Sequence, residues 1–525
     1  MKKFYSIVMT ANFVILSSFI LAIFILAIFA VERPPRHRTI PVFAVILLGI
    51  VLRVWQYLAN RALWQDEAML SLNIVNRSYV DLVRPLDYNQ GAPILFTWAE
   101  KIMVNWLGVS EYSLRLVPLV SGIFSIGLFY IVAKDLTGSK APLLALALFS
   151  TSGALIYYAS EAKQYATDVT ATLSIIAVVY ATLKRGLTFH RSLVLLLLGV
   201  GATWLSHPAV FVLASGALML FCNAVRSRDY RKIVYSLVIG VSWGGSFVSN
   251  YFVSLKHLAN NSVLYNFWET SFAPFPPQSK ADFFWYCGKS LKFFTDPGGF
   301  QFPAVMAPPL LVIAGVIGLW RDSRKTSLFV LWLPLVFAWT ASILGKYPLV
   351  GRFMLFFLPS AILTIAYGVT TLWQHTGRCS RWIVGTAIVF LLFQPVLSLV
   401  QDFPRYREEI KPVVSYIDAH YLPGDRVYVY WAAEPAFSFY AKDRFNGSYI
   451  IGAKSFRDPF AYMQDVKYIC GLGRVWILFS SIYGQQRTRF LQYLDRVGGV
   501  RCDQIEGQGS FAYLYDLSDV ECPAY

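Results

Sequence analysis

Two adjacent carboxylates, Asp66 and Glu67, stand in "LWQDEAML" (residues 63–70), just beyond an apolar run that ends near residue 58. A carboxylate at a membrane interface can take a proton from a hydroxyl, and cationic or amide groups beside it can hold a departing oxyanion. Neighbouring helical positions diverge by about 100°, so the two acids cannot both point into one cleft. Asp66 reads as the base and Glu67 as its support. A structural reading competes, in which Asp66 caps an interfacial helix through "EAMLSLNIV", whose Ala68, Leu72 and Val75 share a face. Which side of the membrane the acids face must be settled first.

The chain has 525 residues, 56% of them hydrophobic and 14% charged, too apolar and too long for one soluble globule. Runs such as "TIPVFAVILLGIVL" read as membrane spans, about twelve in all, near 4–30, 39–58, 113–133, 141–159, 168–183, 191–206, 208–222, 233–253, 303–320, 327–344, 353–372 and 382–400. The first run is longer than a signal peptide's apolar core and reads as retained. The net charge of +16 lies mostly in short connectors such as "ERPPRHR", "KRGLTFHR" and "NAVRSRDYRK". The positive-inside rule makes these cytoplasmic, so topology accounts for the excess charge and no nucleic-acid surface is needed. Alternate connectors then face outward, among them the long loops 59–112 and 254–302 and everything after residue 401. An even span count puts both termini outside.

From about residue 401 the composition turns polar. "PVVSYIDAHY", "EPAFSFYA" and "RTRFLQYLDRV" read as helices, and "DRVYVYW", "RVWILFS" and "SFAYLYDL" as strands. The expected architecture is therefore a polytopic α-helical membrane domain over 1–400, with a soluble extracytoplasmic α/β domain over 401–525. Three of the six cysteines, Cys470, Cys502 and Cys522, fall in the tail; Cys502 and Cys522 flank its last expected strand and could pair, which leaves one over. No metal-ligand spacing appears.

The cytoplasmic connectors are too short to form a nucleotide-binding domain. An enzyme of this design works outside, on a donor that arrives activated and membrane-borne. A polyprenyl-phosphate sugar fits: the phosphate is the leaving group, the sugar sits at the interface, and charge develops on the ring as in an oxocarbenium ion.

In order along the chain, "LWQDEAMLSL", "DYNQGAPILFTWAEKIMVNWLGVSEYSLRLVPLVSGI", "YYASEAKQYA", "WLSHPAVF" and "YPLVGRFMLFFLP" resemble the GT-C glycosyltransferases of the protein O-mannosyltransferase and lipid A aminoarabinose transferase superfamily. The nearer likeness is to the bacterial lipopolysaccharide galacturonosyltransferase-like group, over about residues 50–370. The resemblance implies a catalytic Asp66 with Glu67 completing an acid pair, and Glu111 and Arg115 holding their loop. It places Arg352 near the lipid phosphate, with Lys346 in the same connector as a further phosphate ligand. In "SEAKQYA", Glu161, Lys163 and Tyr165 match a segment that usually reads Glu-Ala-Arg-x-Tyr; Lys163 keeps the charge but loses the bidentate fork. His207 matches a frequent His at an outer helix end. Asp87 reads as an acceptor contact or as a turn former beside Asn89 and Gly91. "QGAP" lacks the Lys-Pro pair of the aminoarabinose transferases, which counts against that substrate.

The resemblance implies an inverting transfer of one sugar from a polyprenyl-phosphate donor to a hydroxyl on an envelope glycan or glycolipid, at the periplasmic face of a bacterial inner membrane. No cofactor is firmly expected, and a divalent metal stays open because some relatives use one. An O-antigen ligase or polymerase would concentrate function in a late loop rather than in an early acid pair. A lipid-linked sugar flippase is the non-enzymatic alternative.

Overall fold

The computed structural model describes residues 39–139, 141–375, 377–441, 444–445, 447–453 and 461–520; the expected span 4–30 lies outside them. α1 (Thr39–Leu58) leads into a long connector that carries α2 (Gln65–Asn76) and α3 (Ile94–Leu107). The chain continues through α4 (Glu111–Thr137), α5 (Pro142–Thr151), α6 (Gly153–Tyr158), α7 (Tyr165–Arg185), α8 (Phe189–Leu205), α9 (Ala209–Arg226) and α10 (Tyr230–Asn250). After a second long connector with α11 (Lys280–Thr295) come α12 (Ala307–Arg321), α13 (Lys325–Ile343), α14 (Leu358–His375) and α15 (Arg378–Asp402). Among the described residues, eight helical stretches are long and apolar enough to cross a membrane. The protein is a polytopic α-helical membrane protein.

Every expected span from residue 39 onward falls on helix, but 141–159 is divided. Ser152 adopts an extended ψ of 114° between α5 and α6, so the last carbonyls of α5 lose their helical donors. The buried Arg53 of α1 supplies a substitute. Its guanidinium donates to the carbonyl of Gly49 at 3.0 Å and lies 3.4 Å from that of Ser150. At the centre, α12 and α14 cross so closely that a Cβ on Gly368 would lie 1.9 Å from the Leu311 carbonyl oxygen. Only a glycine permits that approach, and it fixes α14, the helix that follows Arg352.

The C-terminal domain is α/β. α16 (Ile410–His420), β1 (Arg426–Val429), α17 (Glu434–Tyr440), β2 (Tyr449–Ile451), β3 (Arg474–Ser480), α18 (Gln486–Arg496), β4 (Val500–Glu506) and β5 (Ser510–Asp516) build it. The sheet order is β2-β1-β3-β5-β4, with β1 parallel to β2 and β3, and β5 antiparallel to β3 and β4. The central β3 is buried from Val475 through Ser480, hence its uninterrupted apolar run. One expectation is corrected: Cys502 is a free, exposed thiol on edge strand β4, whereas Cys470 is disulfide-bonded.

Candidate active site

α2 opens at Gln65, and its N-cap Trp64 makes no side-chain capping bond. Asp66 is therefore not the cap that one reading made it. Both acids occupy the first turn, where the positive end of the helix dipole favours them. They then part company, as helical geometry requires.

Asp66 turns toward cations. Its Oδ1 accepts from Lys163 Nζ at 3.0 Å and from Gln90 Nε2 at 3.1 Å. Arg352 Nη1 lies 2.7 Å from Oδ2 as an ion pair whose angle does not form an aligned hydrogen bond. Burial pushes the Asp66 pKa up, but the Arg352 and Lys163 charges outweigh it and hold the carboxyl well below the usual range. Lys163 is lowered from the ordinary lysine value, by burial first and by Arg352, against the opposing pull of Asp66.

Glu67 turns inward and is fully buried. Arg115 grips it with Nε at 2.9 Å and Nη2 at 2.8 Å, Arg61 Nη1 lies at 3.2 Å, and the Ala162 amide donates to Oε1 at 2.8 Å. Burial opposes its charge, and the two arginines more than offset this to leave its pKa lowered. Arg115 also donates to the carbonyls of Arg61 (2.7 Å) and Ala62 (3.2 Å), while Arg61 reaches the Tyr157 hydroxyl at 3.0 Å and the Ser160 carbonyl at 2.6 Å. This buried network ties the loop before Asp66 to the turn 159–164, which carries Glu161 and Lys163.

In that turn the Lys163 amide donates to the Glu161 carbonyl at 2.6 Å. Glu161 Oε1 accepts from Trp64 Nε1 at 2.7 Å, and its Oε2 is buried without a partner. Burial and the neighbouring Glu67 raise its pKa. Arg352 sits 5.5 Å from the Trp64 ring centroid and 5.6 Å from that of Tyr165. Gly351, immediately before it, has φ +44°, and a Cβ there would lie 2.8 Å from an Asp296 carboxylate oxygen.

The structure thus gathers Asp66, Glu67, Arg115, Glu161, Lys163, Tyr165 and Arg352 into one cluster. Lys346 stands apart, exposed, donating to the Ala259 carbonyl at 3.2 Å. Asp87 pairs with Arg77 at 2.8 Å and opens a short turn in which Tyr88 and Asn89 have positive φ. His207 lies at the α8–α9 junction, its Nε2 buried and unpartnered, and burial lowers its pKa to about 4. Glu111 binds Lys411 Nζ at 2.8 Å and the Tyr440 hydroxyl at 2.9 Å, both in the C-terminal domain. Sequence reasoning missed Gln90 and Trp64, which stand inside the quoted motifs but carry no charge, and Arg61, which lies just ahead of them.

It also missed the hold of the C-terminal domain on the loop before Asp66. The amides of Ala62 and Leu63 donate to Glu409 Oε1 (2.9 Å) and the Tyr440 hydroxyl (2.8 Å); Lys411 donates to the Asn60 carbonyl at 2.6 Å. Tyr483 reaches Gln65 Oε1 at 3.2 Å, and the Arg407 guanidinium lies 3.4 Å from the Trp64 ring centroid.

A divalent metal does not fit the Asp66 side of this site. Both carboxylate oxygens already face cations, so a further ion would meet Lys163 and Arg352 at close range. Among the described residues, no three His, Cys, Asp or Glu side chains converge on a metal-sized site.

Residues 91–258 match the family model of the dolichyl-phosphate-mannose-protein mannosyltransferases. Over these residues the chain is similar to that family. The matched stretch contains Glu111, Arg115, Glu161, Lys163, Tyr165 and His207. No curated protein matches the chain. Among solved structures, ArnT from Cupriavidus metallidurans in the apo state aligns at 13% identity over 91% of this chain and 99% of that one, with a TM-score of 0.48. ArnT bound to undecaprenyl phosphate aligns at 12% identity over 90% and 97%, with a TM-score of 0.49. The oligosaccharyltransferase AglB from Archaeoglobus fulgidus, in complex with an inhibitory peptide and a dolichol-phosphate, gives 12% identity over 91% and 75%, and a TM-score of 0.48.

Proposed function

We propose that the protein is an inverting glycosyltransferase that moves one sugar from a polyprenyl-phosphate donor to a hydroxyl of an envelope glycan or glycolipid, on the periplasmic side of a bacterial inner membrane. The observation that carries this reading is the pairing of Asp66 with Lys163 and Arg352. A carboxylate so held is ionised but weakly basic. A donor phosphate competes for the same two cations, and as they turn to it Asp66 regains basicity beside the reacting carbon.

The step balances as follows. The acceptor hydroxyl gives its proton to Asp66 while its oxygen bonds to the anomeric carbon. The bond from that carbon to the phosphate oxygen breaks, and polyprenyl phosphate leaves with the electron pair, its charge held by Lys163 and Arg352. Glu67 takes no proton in this scheme; it keeps the loop in place through Arg61 and Arg115. The family match over 91–258, whose description names a dolichyl-phosphate sugar, supports the donor class.

The test is transfer from a panel of radiolabelled polyprenyl-phosphate sugars to envelope extract, with wild type and Asp66→Asn in the same lipid. One donor should be consumed, and the variant should be slower by about 10²–10⁴. Equal transfer by both proteins would return Asp66 to a structural role.

A further inference from the structure

We propose that the groove between α1 and the connector 403–409 seats an acyl chain of an anionic lipid acceptor, with Arg405 and Arg407 holding its charged headgroup; the acceptor role rests on the function proposed above. The groove is shallow and open along one side, offers about 690 Å³, and is lined by Val51, Val54, Trp55 and Leu58 of α1 and by Pro404 and Tyr406 of the connector. This volume falls within the roughly 300–1,000 Å³ that ligand sites occupy. It continues the exposed apolar stripe of α1, in which Phe43, Leu47, Val51, Trp55 and Leu58 recur at helical spacing. In a membrane that stripe meets lipid, so a chain can enter sideways.

The connector is fixed along α1. Gln56 donates to the Arg405 carbonyl at 2.9 Å and accepts from the Arg405 amide at 2.8 Å, and Phe403 packs edge-on against Trp55 at 5.5 Å. Its side chains alternate. Pro404 and Tyr406 line the groove, while Arg405 and Arg407 lie against Tyr157 (5.3 Å) and Trp64 (3.4 Å) of the site.

Charge then selects the occupant. Arg53, Arg61 and Arg115 are buried and spent on internal carbonyls and Glu67. Arg405 and Arg407 are exposed and make no ion pair with any described carboxylate. Two exposed guanidinium groups beside an apolar groove, Arg405 against Tyr157 and Arg407 against the same Trp64 that donates to Glu161, suit a phosphate-bearing amphiphile. The donor phosphate has its own cations, Lys163 and Arg352, from other elements.

The full chain in nanodiscs, labelled with a photoreactive phosphatidic acid or a photoreactive diacylglycerol, tests this by peptide mapping of the adducts. The anionic probe should label 50–59 and 403–407 about tenfold more than the neutral one. Arg405→Gln with Arg407→Gln should erase that preference, and Val54→Trp should remove both adducts, while tritiated polyprenyl phosphate binds Val54→Trp as it binds wild type. Three outcomes overturn the proposal: equal labelling by both probes, displacement of the label by polyprenyl phosphate, or adducts absent with residues 4–30 cross-linked to α1 instead. Failure of sugar transfer alone would sink the proposed reaction yet leave the lipid adducts in place.

Discussion

At the residue scale, two neighbouring acids with one formal charge each have opposite fates on substitution. Asp66 has partial access to solvent and its partners can redistribute, so Asp66→Asn should melt within a few degrees of wild type and lose transfer. Glu67 is buried between two buried arginines. Glu67→Gln leaves both uncompensated, and removing one partner of a buried pair costs about 3–5 kcal/mol. The expected result is a clear drop in melting temperature, seen by fluorescence of the detergent-solubilised protein, whatever happens to activity. A Glu67→Gln protein that melts like wild type would mean that the network is not needed for the fold. This divergence was legible in the sequence, because a helix separates successive side chains by a fixed angle. The identity of the partners was not. Arg and Trp are common at membrane edges for reasons unrelated to chemistry, so the types of Arg61 and Trp64 alone do not single them out.

At the element scale, the helices were read from hydropathy, and what hydropathy misses is a change of direction inside an apolar run. The break at Ser152 is invisible in "LLALALFSTSGALIYY" because both halves are equally apolar; it becomes affordable only through Arg53, nearly a hundred residues earlier. The turn before α14 poses a sharper test. Gly351→Ala forces a side chain into a φ of +44° and against Asp296, at a backbone cost of about 1–2 kcal/mol. That strain displaces Arg352, so donor binding, measured by titration with polyprenyl phosphate, should weaken about tenfold while the melting curve shifts little. The α8–α9 junction gives a pH signature. His207 has a folded pKa of about 4, below the ordinary value near 6.5. The unfolded chain therefore binds a proton that the native one refuses, and stability that is complete above pH 6.5 is lost as pH falls toward 4. His207→Gln should flatten melting temperature across that window; an unchanged slope would assign it to other groups.

At the scale of the whole molecule, the tail was read as a separate α/β domain from its alternating helix and strand patterns, and its six strongest elements are where the patterns put them. β2 escaped because its three residues, Tyr449–Ile451, are too few to show a period, and β4 because it is exposed along most of its length. The relation of that domain to the site was not legible at all, since hydrogen bonds to the backbone of Ala62 and Leu63 depend on no side chain in the loop. They tie the domain to the loop that precedes Asp66. Deleting 408–525 removes the acceptors for two loop amides and exposes the α2 face that α17 covers, so transfer should fall to background even with a small soluble acceptor. Because such a truncation can also unfold, Glu409 supplies the discriminating pair. Glu409→Gln keeps a carbonyl oxygen for the Ala62 amide, whereas Glu409→Ala leaves that amide without its partner, at a cost of about 1–3 kcal/mol. If the domain positions Asp66, the alanine variant loses kcat with polyprenyl-phosphate affinity preserved, and the glutamine variant recovers most of it. If both variants turn over like wild type while the truncation is inactive, the domain serves stability or acceptor binding rather than alignment of the base.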